Sequence, residues 1–498
     1  MVGEGAANLN IRKRTWGGLI LLLALVVLSL ACFQSSNGPI GSVDTADNSA
    51  LPAGPTDFFV AKELLGLPTD QSITVKAIAG KDLEAYIEYG PEKGKYPLKT
   101  KAVRVAKGEP FELVVDSLKP DTEYYYRMIY GAKGEQQRYG GEENSFHTQR
   151  KGGSSFTFTV QADSHRDENV NEDLYRRTLQ NIRKDNPDFH IDLGDTFMTE
   201  KFAKTEEEVV RRYIEERGFF DTIGNTIPLF LVNGNHEGEN GWWLNGKADN
   251  LAVWASNARN KYYLNPKPNA FYSGNGKEEK FVGARGGYYA WEWGDALFVV
   301  LDPFWNTTRK SSSLSTNWNY TLGKEQYDWF RNVLEKSQAK FKFVFSHNVV
   351  GGSDQNGRGG LEAAKYYEWG GFQMDGTYAF DQKRPGWGKP IHQLMVDNKV
   401  TVFFHGHDHF FAKQDLDGVV YQLVPQPGNL GYNKKVQEVE YGYIAGVFLT
   451  SSGHLRVTVS GGKVTVDYVR SYLEKDENKD RKNGETGYSY EVVNLVKF

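Results

Sequence analysis

The sequence predicts an α/β protein carried behind a smaller all-β segment. Two observations give that division. Between about Phe58 and Arg150, short alternating runs are separated by turn signals, the pattern of half-buried antiparallel strands. From Ser154 onward, fully apolar runs alternate with helix-like stretches, as in a layered core whose strands are covered on both faces. An aromatic share of 14%, with 28 Tyr, 29 Phe and 11 Trp, suits such pleated surfaces.

The chain opens with Arg12, Lys13 and Arg14, followed by an apolar run from Gly17 to Ala31. That run is short for a spanning helix, which needs roughly 20 residues, and reads as an export signal over 1–32. It ends at Cys32, the only cysteine, so no intramolecular disulfide is possible. A cysteine after a small residue at such a point resembles the lipid-modified residue of bacterial lipoproteins, although Ser29 stands where that signal prefers Leu. Ordinary cleavage near Ala31 is the alternative. The expected location is the cell envelope, anchored at Cys32, or the periplasm or medium. Membrane contact is expected only through this lipid anchor or signal segment.

Residues 33–56 are rich in Ser, Gly, Asn, Asp and Pro and read as a tether. Within 57–150, Ser72 to Lys76, Leu83 to Tyr89, Phe111 to Val115 and Glu123 to Tyr130 are strand candidates, the last the strongest. Leu118 to Tyr124 resembles the corner of a fibronectin type III sandwich, where a tyrosine bonds back to the turn. In 154–470, buried strands are expected at Phe156 to Val160, Pro187 to Asp192, Ile227 to Val232, Ala296 to Leu301, Phe341 to Phe345 and Val400 to Phe404. Helices are expected at Asp173 to Lys184, Thr205 to Arg217, Lys324 to Ser337 and Gly388 to Asn398. Leu455 to Asp467 alternates around Gly461 and Gly462, a hairpin. Residues 471–498 read as a C-terminal extension, with Glu474 to Gly484 a charged flexible loop.

Charge is nearly balanced, 59 Lys+Arg against 63 Asp+Glu, so no nucleic-acid surface is indicated. The chemistry sits in five clusters that follow apolar runs: Asp163 and His165; Gly194 and Asp195; Gly234 to Glu237; Ser346 and His347; Gly406 to His409. Singly, each has an ordinary reading as an N-cap, a turn or a polar loop. Three imidazoles among His405, His407 and His409, boxed by Phe403, Phe404, Phe410 and Phe411, are harder to dismiss, with His405 the one expected to be structural. Together the clusters supply carboxylate, amide and imidazole from separate strand ends, a set that can hold two metal ions.

The set resembles the motifs of the calcineurin-like metallophosphoesterase superfamily (D-x-H, G-D, G-N-H-[E/D], H and G-H-x-H) over Phe156 to His409. With a sandwich in front, the chain is similar to bacterial purple acid phosphatase-like phosphoesterases. The resemblance implies a four-layer metallophosphoesterase β-sandwich flanked by helices, behind the all-β fibronectin type III-like domain. It implies a hydrolase of small-molecule phosphate esters. Asp163, His165 and His409 would hold one metal, Asn235, His347 and His407 the other, and Asp195 would bridge. Two dications roughly 3.5 Å apart repel by roughly 19 kcal/mol at an effective dielectric of 20, which is why a bridging carboxylate and hydroxide are needed. In the family that hydroxide is the nucleophile. His236 would assist at the leaving group or bind phosphate, together with Asn235, and Glu237 would orient the His236 ring. The cofactors expected are two divalent or mixed-valence ions, Fe, Mn or Zn. Purple acid phosphatases carry a metal-binding tyrosine where Met198 stands here, so no tyrosinate-iron colour is expected.

Three features address substrate. Trp242 and Trp243, Tyr262 and Tyr263, and Tyr288 to Trp293 form an aromatic-rich insert, a rim for an organic group or a packed strand pair, the second favoured for Tyr288 to Trp293. Arg358, in the glycine-rich run Gly351 to Gly360, is a candidate phosphate clamp, and Arg384 a weaker one. The competing functional reading is a non-enzymatic cell-surface binding protein with an inert phosphoesterase-like domain. A β-lactamase-like zinc hydrolase fits less well, because its third histidine falls one residue later than His409.

Overall fold

The computed structural model describes residues 51–493, apart from residues 168 and 435. The signal segment, Cys32 and most of the tether expected at 33–56 lie outside the described residues. Among the described residues, no helix is long and apolar enough to cross a membrane.

The N-terminal part is a two-sheet sandwich. Strands Phe59–Gly66, Ile73–Ala79 and Pro110–Val115 form one antiparallel sheet; Leu83–Gly90 and Glu123–Ala132 form the centre of the other. Alternation along Leu83–Gly90 turns Leu83, Ala85, Ile87 and Tyr89 inward, against Val75, Leu113, Tyr126 and Met128. The expected tyrosine corner forms: the Lys119 N–H donates to the Tyr124 hydroxyl oxygen at 3.0 Å.

The larger part is built of two facing sheets. In the first, six strands lie in the order Leu229–Leu231, Phe189–Asp192, Phe156–Gln161, Gly453–Ser460, Lys463–Arg470 and Thr486–Val493, the first three parallel. The second has eight strands, with Ala296–Val300, Phe341–Phe345, Val402–His405 and Val419–Leu423 parallel at its centre. Between them runs an aromatic core: the Phe158 ring lies 5.6 Å from Phe189, 5.1 Å from Phe298 and 5.3 Å from Phe343. Helices cover both outer faces. Glu172–Asp185, with Asn171 accepting from the Leu174 N–H, buries Tyr175, Leu179 and Ile182 at i, i+4, i+7 spacing. On the opposite face Lys324–Lys336 buries Tyr327, Phe330 and Leu334. The four-layer α/β class is therefore as expected.

Two features differ from expectation. Helix Leu251–Tyr262 stands inside the aromatic insert, capped by Asn250. The C-terminal segment belongs to the core architecture: Thr486–Val493 is an edge strand paired to Lys463–Arg470. The charged loop before it is fastened, since Tyr432 donates to Asp476 at 2.6 Å and Arg177 to Glu477 at 2.7 Å.

The sandwich is docked by buried polar contacts. Arg217, fully buried, donates to the carbonyls of Lys62 (2.7 Å), Lys76 (3.1 Å) and Tyr262 (3.0 Å). Lys76 in turn donates to the Tyr263 carbonyl at 2.8 Å. Replacing Arg217 by Met leaves those carbonyls without a donor and is expected to cost about 3 kcal/mol or more, read from the urea midpoint.

His190 sits at the sheet centre, its Nδ1 2.9 Å from the Thr159 hydroxyl, and burial pushes its imidazole down to about 3 from 6.5. A folded-state value below the unfolded one means that stability is complete above pH 6.5 and is lost as pH falls toward 3. Between pH 7.5 and 5 this group is expected to contribute about 2 kcal/mol of acid destabilisation, which His190→Gln removes in denaturant titrations at the two pH values.

Candidate metal centre

Each cluster begins where a strand of the parallel cores ends. Asp163 and His165 follow Phe156–Gln161, Asp195 follows Phe189–Asp192, and Asn235 and His236 follow Leu229–Leu231. From the second sheet, His347 follows Phe341–Phe345, while His407 and His409 follow Val402–His405. Parallel strands bring these ends to one edge, where ligands characteristically gather. To aim side chains inward the chain turns sharply, and Asp163, His165, Asp195, His407 and His409 all take left-handed φ, from 45° to 78°. For non-glycine residues this costs about 1–2 kcal/mol each, strain typical of functional sites. A Cβ on Gly406 would lie 2.6 Å from an Asp163 carboxylate oxygen, which explains why glycine precedes His407.

The side chains meet in three overlapping groups, Asp163 with His165 and His409, His165 with Asp195 and His236, and Asp195 with His347 and His407, each with ligand atoms within 4.8 Å of one another. His165 Nε2 lies 3.7 Å from Asp163 Oδ1 and 3.4 Å from Asp195 Oδ2. His409 Nε2 lies 3.5 Å from Asp163 Oδ1, and His347 Nε2 lies 3.1 Å from Asp195 Oδ2. Ligand atoms sharing a tetrahedral ion at roughly 2.1 Å are roughly 3.4 Å apart, the spacing found here. Asp163 Oδ1, His165 Nε2, His347 Nε2 and Asn235 Oδ1 are buried without a hydrogen-bond partner among the described residues. Buried donors and acceptors left open in this way fit a cation.

The outer ring nitrogens are held. His347 Nδ1 lies 2.9 Å from the Leu193 carbonyl, and His407 Nε2 lies 2.9 Å from the Asn356 carbonyl. Donation to those carbonyls leaves His347 Nε2 and His407 Nδ1 as the lone pairs facing inward. His165 Nδ1 faces the Asp167 carboxylate at 3.4 Å. Burial opposes charge on His165 and His347, but Asp167, Asp195 and Asp163 push His165 up to about 10, and Asp195, Asp163 and Glu237 push His347 up to about 10. The pocket is thus cation-seeking: without a metal, protons on His165 and His347 compensate the buried carboxylates, while burial pushes His407 and His409 down toward the neutral form.

A model of the calcineurin-like phosphoesterase family matches residues 156–411, which is 256 of the 498 residues. The chain belongs to the calcineurin-like phosphoesterase family. It is a metal-dependent phosphoesterase, and the residues gathered at the strand ends lie within the matched segment. Among solved structures, one described as PhoD superposes with a TM-score of 0.62 at 14% identity, covering 89% of this chain and 92% of the other. The purple acid phosphatase PPD1 from yellow lupin (Lupinus luteus) seeds superposes with a TM-score of 0.57 at 15% identity, covering 86% and 74%. At such identities the likeness is one of fold. No curated protein sequence matches significantly.

Within this phosphoesterase, several expected roles are redistributed. Glu237 does not orient His236. Its buried carboxylate instead accepts the backbone N–H groups of Gly234, Asp195 (2.9 Å), Thr196 (2.6 Å) and Phe197 (3.3 Å), tying two ligand loops together. The partner of His236 Nδ1 is Glu200, at 2.8 Å, with Lys310 3.5 Å from the other Glu200 oxygen. Arg358 lies over the Tyr441 ring, 4.4 Å from its centroid, and 4.0 Å from Asp354, with no contact to the ligand groups. Arg384 is structural, bonded to buried Glu368 and to the Trp318 carbonyl. His405 stacks on Phe403, apart from the ligands, as expected. Tyr288 to Trp293 packs into the core, whereas Trp243 is 41% exposed.

Sequence reading missed Asp167, Glu200 and a buried network beneath Asn235. In that network Glu239 binds Arg259 and Arg285, Arg285 reaches Asp302 at 3.0 Å, and Asn240 donates to the Asn235 carbonyl at 2.7 Å. The two glutamates near His236 separate experimentally. Glu237→Gln is expected to lower metal retention on dialysis tenfold or more, while Glu200→Gln keeps the metal and lowers kcat about tenfold. Elemental analysis beside steady-state kinetics reads both.

Proposed function

We propose that the chain is an exported hydrolase of phosphate mono- or diesters that works with two metal ions. The observation that carries this reading is the convergence of Asp163, His165, Asp195, His347, His407 and His409, with Asp163 Oδ1, His165 Nε2, His347 Nε2 and, in the third cluster, Asn235 Oδ1 buried without a hydrogen-bond partner among the described residues. In this reading Asp163, His165 and His409 hold one cation, Asn235, His347 and His407 the second, and Asp195 lies between. Oxygen and nitrogen donors without thiolate suit Fe, Mn or Zn, and buried Met198 leaves no phenolate. Two such cations would supply Lewis-acid stabilisation of phosphoryl oxygens and acidify water.

The protein's own part is positioning and proton transfer. His236 stands beside the centre, its ring 5.5 Å from that of His165. Burial disfavours its charged form, but Asp195 and Glu200 outweigh this and raise its pKa, so the imidazolium can protonate a departing alkoxide. The Glu200 carboxylate holds the proton on Nδ1 and so turns Nε2 toward the reacting ester. The N-terminal sandwich is read as a fibronectin type III-like domain, on its strand order and tyrosine corner. The basic and apolar start of the sequence supports export, with lipidation at Cys32 or simple cleavage as its two forms.

Asp195→Ala is expected to lower hydrolysis of aryl phosphates at least a thousandfold while the thermal transition persists. Undiminished turnover would refute the reading.

A further inference from the structure

Two of the ligand loops rest on one helix. Helix Glu206–Phe220 is capped by Thr205, which accepts from the Glu208 N–H, and it buries Val209, Tyr213, Phe219 and Phe220 in the core. Its far end is fixed by Arg217, already seen holding the sandwich. The helix is therefore a rigid base, and its side chains meet the loops just beyond the ligand residues.

Arg212 makes the central contact. Its Nε donates to the Phe197 carbonyl at 2.9 Å and its Nη2 to the Arg166 carbonyl at 3.2 Å. Arg166 follows His165 directly, and Phe197 stands two residues after Asp195. Nε and Nη2 share one edge of a planar guanidinium, so the two carbonyls are held at a fixed spacing. Neighbours on the helix repeat the pattern. The Tyr213 ring stacks on the Phe197 ring, with centroids 3.9 Å apart. Glu216, one turn beyond Arg212, lies 3.3 Å from the Arg166 guanidinium and accepts from the Tyr175 hydroxyl at 3.0 Å. The Arg212 guanidinium also lies 5.1 Å from the centroid of Phe202, on the short helix that carries Glu200.

These contacts fall where the backbone needs support. His165 and Asp195 take left-handed φ of 45° and 55°, conformations that persist only where the surroundings hold them. Two backbone bonds join the loops directly, from the Asp163 N–H to the Gly194 carbonyl (2.9 Å) and from the His165 N–H to the Asp195 carbonyl (3.0 Å). Both fall at the ligands or before them. Arg212 closes the ring on the other side, past His165 and past Asp195.

We propose that Arg212 is a positioning residue for the metal centre, clamping the His165 and Asp195 loops at the spacing that two ligands of one ion require. This rests on the two-metal reading above, and the experiment separates the two.

The test measures zinc affinity by competition with a chelating dye, on metal-free full-length protein. The proteins compared are wild type, Arg212→Met, Arg212→Gln and Arg211→Met, each shown folded by near-ultraviolet circular dichroism at the temperature used. Arg211, next on the helix and 61% exposed, supplies the control. Arg212→Gln keeps a polar head too short to span both carbonyls, and it carries the test if Arg212→Met does not fold. The Arg212 variants are expected to bind zinc at least tenfold more weakly, with Arg211→Met within twofold of wild type. A purely structural role lowers the thermal midpoint of metal-free protein and leaves the affinity of folded protein unchanged. Folded Arg212 variants within twofold of wild type would therefore overturn the clamp, as would an equal loss in Arg211→Met. Wild-type protein that binds no zinc would strike the two-metal reading and the clamp with it.

Discussion

Two carboxylates, Asp163 and Asp195, are buried side by side, and the arrangement around them answers that charge. His347 Nε2 lies 3.1 Å from one and 3.8 Å from the other, so both act on the same ligand atom. An isolated buried carboxylate costs several kcal/mol after relaxation, and two sharing a pocket cost more. Imidazolium protons can offset the charge, but the inward ring nitrogens and the Asn235 oxygen point to cations as the fuller solution.

That requirement explains local features that would otherwise be liabilities. The left-handed turns at five ligand positions are tolerated because the surrounding structure over-determines them. Glu237 fixes the Asp195 and Asn235 loops through backbone N–H groups, and the Glu239, Arg259, Arg285 and Asp302 network underlies the Asn235 loop. Its members are almost wholly buried, which is sustainable because each charge meets an opposite one. Rigidity comes from the facing sheets, whose interlocked Phe rings hold the strand ends in register.

The sequence already carried much of this. Ligand motifs are short and local, so Asp163 to His165 or Gly406 to His409 can be read wherever they follow an apolar run. Strand runs such as Phe341 to Phe345 were legible because both faces are buried. Tertiary partnerships were not. Glu200 sits on the four-residue helix Thr199–Phe202, and nothing in its neighbours pairs it with His236. The conspicuous placement of Glu237 beside His236 pointed to the wrong role, since adjacent side chains in a loop need not face each other. Helix Leu251–Tyr262 escaped notice because its buried face includes Ser256 and Arg259, so polar and apolar residues do not separate cleanly along the sequence. The C-terminal strand did leave a signal, the alternation of Tyr488, Tyr490 and Val492, which pack against the core.

Anomalous diffraction from crystals of the metal-loaded protein tests the central claim most directly. The account predicts two peaks roughly 3.5 Å apart. One should lie among Asp163, His165 and His409, the other among Asn235, His347 and His407, with the Asp195 carboxylate between them. A single peak, or metal bound away from these side chains, would contradict it.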